Sequence, residues 1–171
     1  MFDSAYEFTF VGHQPSPIDE DFERVLIYKF HSDREKYILR AEQFKYKVFA
    51  IKFYPKSLEK SPDRYKKLTH EGKPWKILGT CLKIMVDIYQ NHPDASFGFL
   101  ASNLLSESET SNTKRFRVYG PIMKNFFSPR IFSHRIYEAY SVYLLINKKY
   151  QQEFESIKDM FFEIFAWEDK P

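Results

Sequence analysis

The hydrophobic periodicity changes near residue 55, and that change constrains the chain more than any other feature. Before Pro55 no stretch repeats its apolar residues at helical spacing. They alternate with polar residues or run in short blocks, which is the pattern of strands. Tyr6 to Val11 alternates aromatic and polar residues and stops at Gly12, and Pro15 and Pro17 make His13 to Asp21 a loop. Glu23 to His31 and Tyr37 to Phe44 read as two strands joined by the polar turn Ser32-Asp33-Arg34-Glu35. Lys45 to Tyr54 sets Phe49, Ile51 and Phe53 on one face and Tyr46, Val48 and Ala50 on the other. A strand apolar on both faces belongs in the middle of a sheet covered on both sides. The first third of the chain is therefore expected to be an antiparallel meander, ended by Pro55.

After the meander the pattern lengthens. Ser57 to Gly72 is a charged connection, partly helical in character. Pro74 suits the first position of a helix, where its missing amide hydrogen costs nothing. Ile77, Leu78, Cys81, Leu82, Met85, Ile88 and Tyr89 then recur at helical spacing, which predicts a helix from Trp75 to Asn91. Asn91-His92-Pro93-Asp94 ends it, and Ser96 to Ala101 is a short strand. Asn103 to Thr113 is a polar loop, and Thr113 to Tyr119 is helical in pattern until Gly120-Pro121 breaks it. Ile136 to Asn147 reads as one long strand, and Gln151 to Ala166 as an amphipathic helix. The expected fold class is α/β (α+β): one domain over residues 1–171 with a mixed, largely antiparallel sheet of about six strands. The meander forms its first half, and a β-α-β-α-β order with a final helix forms its second. The strand of Tyr46 to Tyr54 should lie parallel to Ser96 to Ala101, with the helix between them crossing in the right-handed sense. Leu78, Leu82, Met85, Phe97, Phe99, Val142, Leu144, Phe154, Ile157 and Phe161 are the expected core.

Composition excludes several classes. Phe 18 and Tyr 12 lift the aromatic share to 19%, enough buried area to offset the entropy of ordering the chain. No apolar run approaches the roughly 20 residues of a spanning helix, so no membrane partner is expected. Met1 to Phe10 carries Asp3 and Glu7 with no basic stretch, so it does not read as a signal peptide. Cys81 is the single cysteine, which rules out an internal disulfide and fits a cytoplasmic location. His13, His31, His70, His92 and His134 lack metal-ligand spacing, so no metal is expected. Neither a nucleophile elbow nor a phosphate-cradling Walker loop is present. Cys81 falls on the apolar helix face and reads as an inert thiol.

The net charge of +3 is mild, but the charges are segregated. Lys56, Lys60, Arg64, Lys66, Lys67, Lys73 and Lys76 crowd one segment, with only Glu59, Asp63 and Glu71 to balance them. Lys114, Arg115, Arg117, Lys124, Arg130 and Arg135 follow without an intervening acid, while acidic residues gather towards both ends. The middle of the chain is thus a candidate anion-binding region, or simply a solvated basic face. Segments 60–76 and 114–135 also interleave Tyr65, Trp75, Phe116, Phe126 and Phe127 with the cations. That combination would suit phosphate contacts and base stacking on nucleic acid.

Three stretches carry a resemblance: Lys76-Ile77-Leu78-Gly79-Thr80-Cys81, Tyr89-Gln90-Asn91-His92-Pro93-Asp94, and Arg115-Phe116-Arg117-Val118-Tyr119. Over residues 74 to 147 the chain resembles small uncharacterised protein families of Bacteroidetes-type bacteria, to which no activity is attached. The same order of elements is similar to the acetyl-coenzyme A-dependent N-acyltransferase (GNAT) fold. That fold splays two parallel strands and binds the coenzyme pyrophosphate at the start of the helix between them, where free amides and the helix dipole favour an anion. The resemblance makes acetyl-coenzyme A the cofactor to expect. It implies that Lys76, Gly79 and Thr80 line one wall of the site, and Asn112 and Arg115 the other. It also implies that Tyr119, seven residues beyond Asn112, acts as the acid towards the leaving thiolate. The loop departs from the family's pattern of Arg or Gln, two residues, Gly, one residue and then Gly or Ala, because Lys76 and Cys81 stand at its ends. Gly120-Pro121 likewise replaces the Gly-Phe that follows the second helix in the family. A non-catalytic interaction module with a protein partner is the other class left open.

Overall fold

A computed structural model describes residues 5–18, 22–62, 64, 74–100, 121–137 and 142–166. Its seven strands form one sheet: β1 (Phe8–Pro15), β2 (Arg24–His31), β3 (Lys36–Phe44), β4 (Val48–Pro55), β5 (Ser96–Leu100), β6 (Phe132–Tyr137) and β7 (Val142–Asn147). Their spatial order is β1-β2-β3-β4-β5-β7-β6. Helix α1 (Pro74–Asn91) connects β4 to β5, residues 121–126 form α2, and α3 (Phe154–Ala166) follows β7 through a 3-10 segment, Lys148–Glu153. β4 and β5 are parallel, and the other pairs are antiparallel. The meander, the central place of the fourth strand and its parallel partner after a helix all stand as the periodicity predicts.

Strand alternation sends successive residues to two different cores. On the first face Leu39, Phe49, Phe97, Tyr143 and Leu145 pack with Leu78, Leu82 and Met85 of α1 and Met123 of α2. On the second face Val48, Ala50, Val142, Leu144 and Ile146 pack with Ile157 and Phe161 of α3. β7 is consequently buried along its whole length. Gly98 of β5 lets α3 approach: a Cβ there would lie 1.8 Å from the Phe161 ring. Of the expected core only Phe154, at the start of α3, is half-buried; the other nine residues are buried.

Four differences from the sequence reading have local causes. β1 runs on to Pro15, through part of the expected loop, because it is an edge strand and Pro15 can pair with Arg24 without a donor of its own. The strand expected from Lys45 starts at Val48, since Tyr46 and Lys47 take positive φ values of 64° and 54° in a 3-10 turn. The long strand expected from Ile136 to Asn147 is a hairpin, β6 against β7. Glu138-Ala139-Tyr140-Ser141 contains no Gly, Pro, Asn or Asp to mark the reversal, so pattern alone ran through it. The sheet therefore has seven strands where about six were expected. The 103–113 loop and the 113–119 helix lie outside the described residues.

Candidate functional site

The parallel junction of β4 and β5 is where a strand's C-terminal end leads through a helix to its own neighbour, so the end of the strand and the start of the helix lie near each other. Its register runs from Val48↔Ser96 to Ile51↔Phe99, and β4 continues past it to Pro55, paired with β3. The C-terminal end of β4 therefore projects beyond the pairing with β5. Helix α1 begins with Pro74 after the connection that follows this end.

Three of the six site residues fall on α1. Lys76 lies in its first turn, with Nζ 4.4 Å from the centre of the Tyr6 ring. Thr80 is fully buried. Its hydroxyl donates to the Lys76 carbonyl at 2.7 Å and accepts the Tyr6 amide at 2.8 Å, clipping the segment before β1 onto the helix. Gly79 is buried beside it. The Lys76-Ile77-Leu78-Gly79-Thr80-Cys81 stretch is helical throughout, so any amide offered to an anion comes from the first turn of α1. Asn112, Arg115 and Tyr119 lie outside the described residues, as do most of segment 60–76 and residues 114–120 of segment 114–135. The Cys81 thiol is buried and burial pushes its pKa up to about 12, which leaves it protonated and inert.

Two features near the end of β4 bring together residues that the sequence reading did not group, Lys56 of the basic segment being the one cation it had singled out. On the second face, Glu42 of β3 is held between Lys52 of β4 at 3.1 Å and Arg40 at 3.5 Å. The Glu42 side chain is 8% exposed, and the Arg40 Nε is buried with no hydrogen-bond partner. Arg40 and Lys52 oppose each other in the register, as do Glu42 and Ala50, so all share one face. The alternation Arg40-Ala41-Glu42 is the signal that could have found them.

The second feature is a groove of about 470 Å³ at the same end of the sheet. Lys29 and His31 of β2, Lys36 at the start of β3 and Lys56 just after β4 line it, with Glu7 as the acid among its lining residues. Lys29, Lys36 and Lys56 form no ion pair among the described residues. Unpaired cations around a concave surface raise the local potential and attract anions.

Among the described residues no group of three or more His, Cys, Asp or Glu could hold a metal ion, and no described helix is long and apolar enough to cross a membrane. No family model, curated protein or solved structure matches the chain.

Proposed function

We propose that this chain is a GNAT-like protein that binds a phosphate-bearing anion, coenzyme A or acetyl-coenzyme A, beside the C-terminal ends of β4 and β5. The observation that carries this reading is the parallel pair of β4 and β5, joined through α1, among described strands that otherwise pair antiparallel. Such a junction ends in backbone free to meet a ligand, and the helix that crosses it starts with unsatisfied amides. The groove of Lys29, Lys36 and Lys56 adds positive potential at that end of the sheet. In this reading Lys76 belongs to the wall on α1, with Asn112 and Arg115 opposite, while Gly79 and Thr80, both buried, support the helix from behind rather than face the ligand. Tyr119 would protonate the thiolate that leaves when an acyl group is transferred. Thr80 contributes by fixing the first turns of α1, because both hydrogen-bonding roles of its hydroxyl are taken inside the protein.

The experiment is a thermal-shift and calorimetric titration of the full chain with coenzyme A, acetyl-coenzyme A and short single-stranded nucleic acids. At about 100 times its dissociation constant a true ligand stabilises the fold by roughly 2.7 kcal/mol. Coenzyme A is expected to bind, and a Lys76→Ala, Arg115→Ala double variant is expected to bind at least about tenfold more weakly. No shift with either coenzyme at millimolar concentration would refute the reading. A response to nucleic acid alone would assign the basic segments 60–76 and 114–135 to that partner. Silence throughout would leave a protein-interaction module.

A further inference from the structure

A cavity of about 260 Å³ opens at the other end of the sheet, between β1, β2 and the last turn of α1. Opposite charges face it without pairing with each other. Arg24 donates Nε to Gln43 Oε1 at 2.6 Å, which fixes the guanidinium plane. Its two terminal nitrogens have no partner among the described residues. Asp87 accepts the Tyr28 hydroxyl at 2.9 Å on one carboxylate oxygen, leaving the other open. Asn91 donates to the Asp87 carbonyl at 2.9 Å and keeps its own side-chain oxygen as an acceptor. His92 completes the rim. Burial, and next the charge of Arg24, hold its pKa below the ordinary value, so it is neutral at pH 7.

The strand geometry also serves this cavity. Residues three apart on a regular strand point to opposite faces. β1 carries a bulge between Phe10 and Gly12, after which Phe10 lies opposite Tyr28 and His13 opposite Leu26. Tyr28 and Leu26 belong to the same core, so the extra residue turns both Phe10 and His13 towards the cavity. Gly12 takes φ 150° at the bulge, a conformation that side chains other than hydrogen resist. Phe10 is 48% exposed there and supplies an apolar rim facing solvent.

We propose that this cavity is a site for a small zwitterion of the amino-acid class, with an aromatic or branched side chain. Its carboxylate takes the open guanidinium edge of Arg24 in a charge-assisted pair. Its ammonium takes the open oxygens of Asp87 and Asn91, and its side chain lies on Phe10 and the Tyr28 ring. The volume of about 260 Å³ is just under the roughly 300–1,000 Å³ of pockets for drug-sized ligands, which suits a single small metabolite. The site is independent of coenzyme binding at the opposite end of the sheet.

The test is a nitrogen-15 NMR titration of the full chain with phenylalanine, phenethylamine and 3-phenylpropionate. Phenylalanine should move the amide signals of residues around Gly12, Arg24 and Asn91. Each analogue, lacking one charge, should bind at least about tenfold more weakly. Arg24→Gln should weaken phenylalanine by a similar factor and leave phenethylamine unchanged. Phe10→Ala, at an exposed position where folding is not at risk, should weaken phenylalanine and both analogues alike. If phenylalanine and leucine move none of these signals at about 10 mM, the proposal is overturned. Equal binding of 3-phenylpropionate and phenylalanine would overturn it in favour of a plain anion site.

Discussion

The two faces of the sheet are built on different terms. The first face is an aromatic and aliphatic core under α1 and α2, running from Leu39 and Phe49 across Phe97 to Leu145. The second carries a smaller core where α3 meets Val48, Ala50, Leu144 and Ile146, and beside it stand Arg40, Glu42 and Lys52. Strand propensity does not separate these regions, because all are β-structure. What separates them is whether a helix supplies apolar surface opposite. The charged part of the second face has its carboxylate between two cations, which is how a low-exposure charge is tolerated. Such a cluster adds little net stability compared with apolar packing. The groove and the cavity lie at the two ends of the meander, lined by Lys29, Lys36 and Lys56 at one end and by Arg24 and Asp87 at the other.

The comparison can be broken most directly by truncating one residue under each helix. Phe161→Ala, beneath α3, is expected to cost about 3–5 kcal/mol, and Leu82→Ala, beneath α1, about 2–5 kcal/mol, in urea denaturation. Both side chains are at most 1% exposed. A loss at Phe161 far below that at Leu82 would show the second core to be a minor prop rather than an equal partner.

A smaller effect should come from closing the gap between β5 and α3. Gly98→Val would set a side chain against the Phe161 ring, which is itself fully buried and has nowhere to retreat. Overpacking of this kind costs about 1–3 kcal/mol. Pairing it with Phe161→Leu should recover part of the loss, and failure to do so would mean that the contact is not what limits the approach of α3.

The smallest expected effect is a pH dependence at the margin of the first core. His134 of β6 uses Nδ1 to accept the Tyr143 hydroxyl and Nε2 to donate to the Phe127 carbonyl, each at 2.8 Å. Burial, the leading cause, lowers its pKa in the folded state. The unfolded chain therefore binds a proton first as pH falls below the ordinary histidine range near 6.5. The stability held above that value is lost as pH falls through the folded pKa. Thermal midpoints measured from pH 7 to pH 5 should drop more for the native chain than for His134→Gln. Parallel slopes would place the sensitivity elsewhere, with His92 the next residue to replace.

Much of the fold was legible, and little of the sites. The pattern Phe49-Ala50-Ile51 announces a strand covered twice, and the spacing from Ile77 to Tyr89 announces the helix that must carry the chain to a parallel neighbour. The hairpin of β6 and β7 was not legible, because Phe132 to Ile136 mixes His and Arg with apolar residues and residues 138–141 contain no Gly, Pro, Asn or Asp. Lys76 and Thr80 were picked out as ligand-facing on a motif. A motif does not reveal that Thr80 would be met by the Tyr6 amide, a partner 74 positions away.

Local periodicity set most of the elements and their faces, since it is a property of neighbours along the chain and burial follows it. Which charges face open space depends instead on long-range packing. Arg24 and Asp87 are far apart in sequence, as are Lys29 and Lys56, and each is unremarkable alone. Strand register, one bulge at Gly12 and the docking of α1 bring Arg24 and Asp87 to one cavity, and Lys29 and Lys56 meet in the groove across the meander. Those are long-range placements whose cost and benefit are spread over the whole core, so no local pattern of residues can encode them.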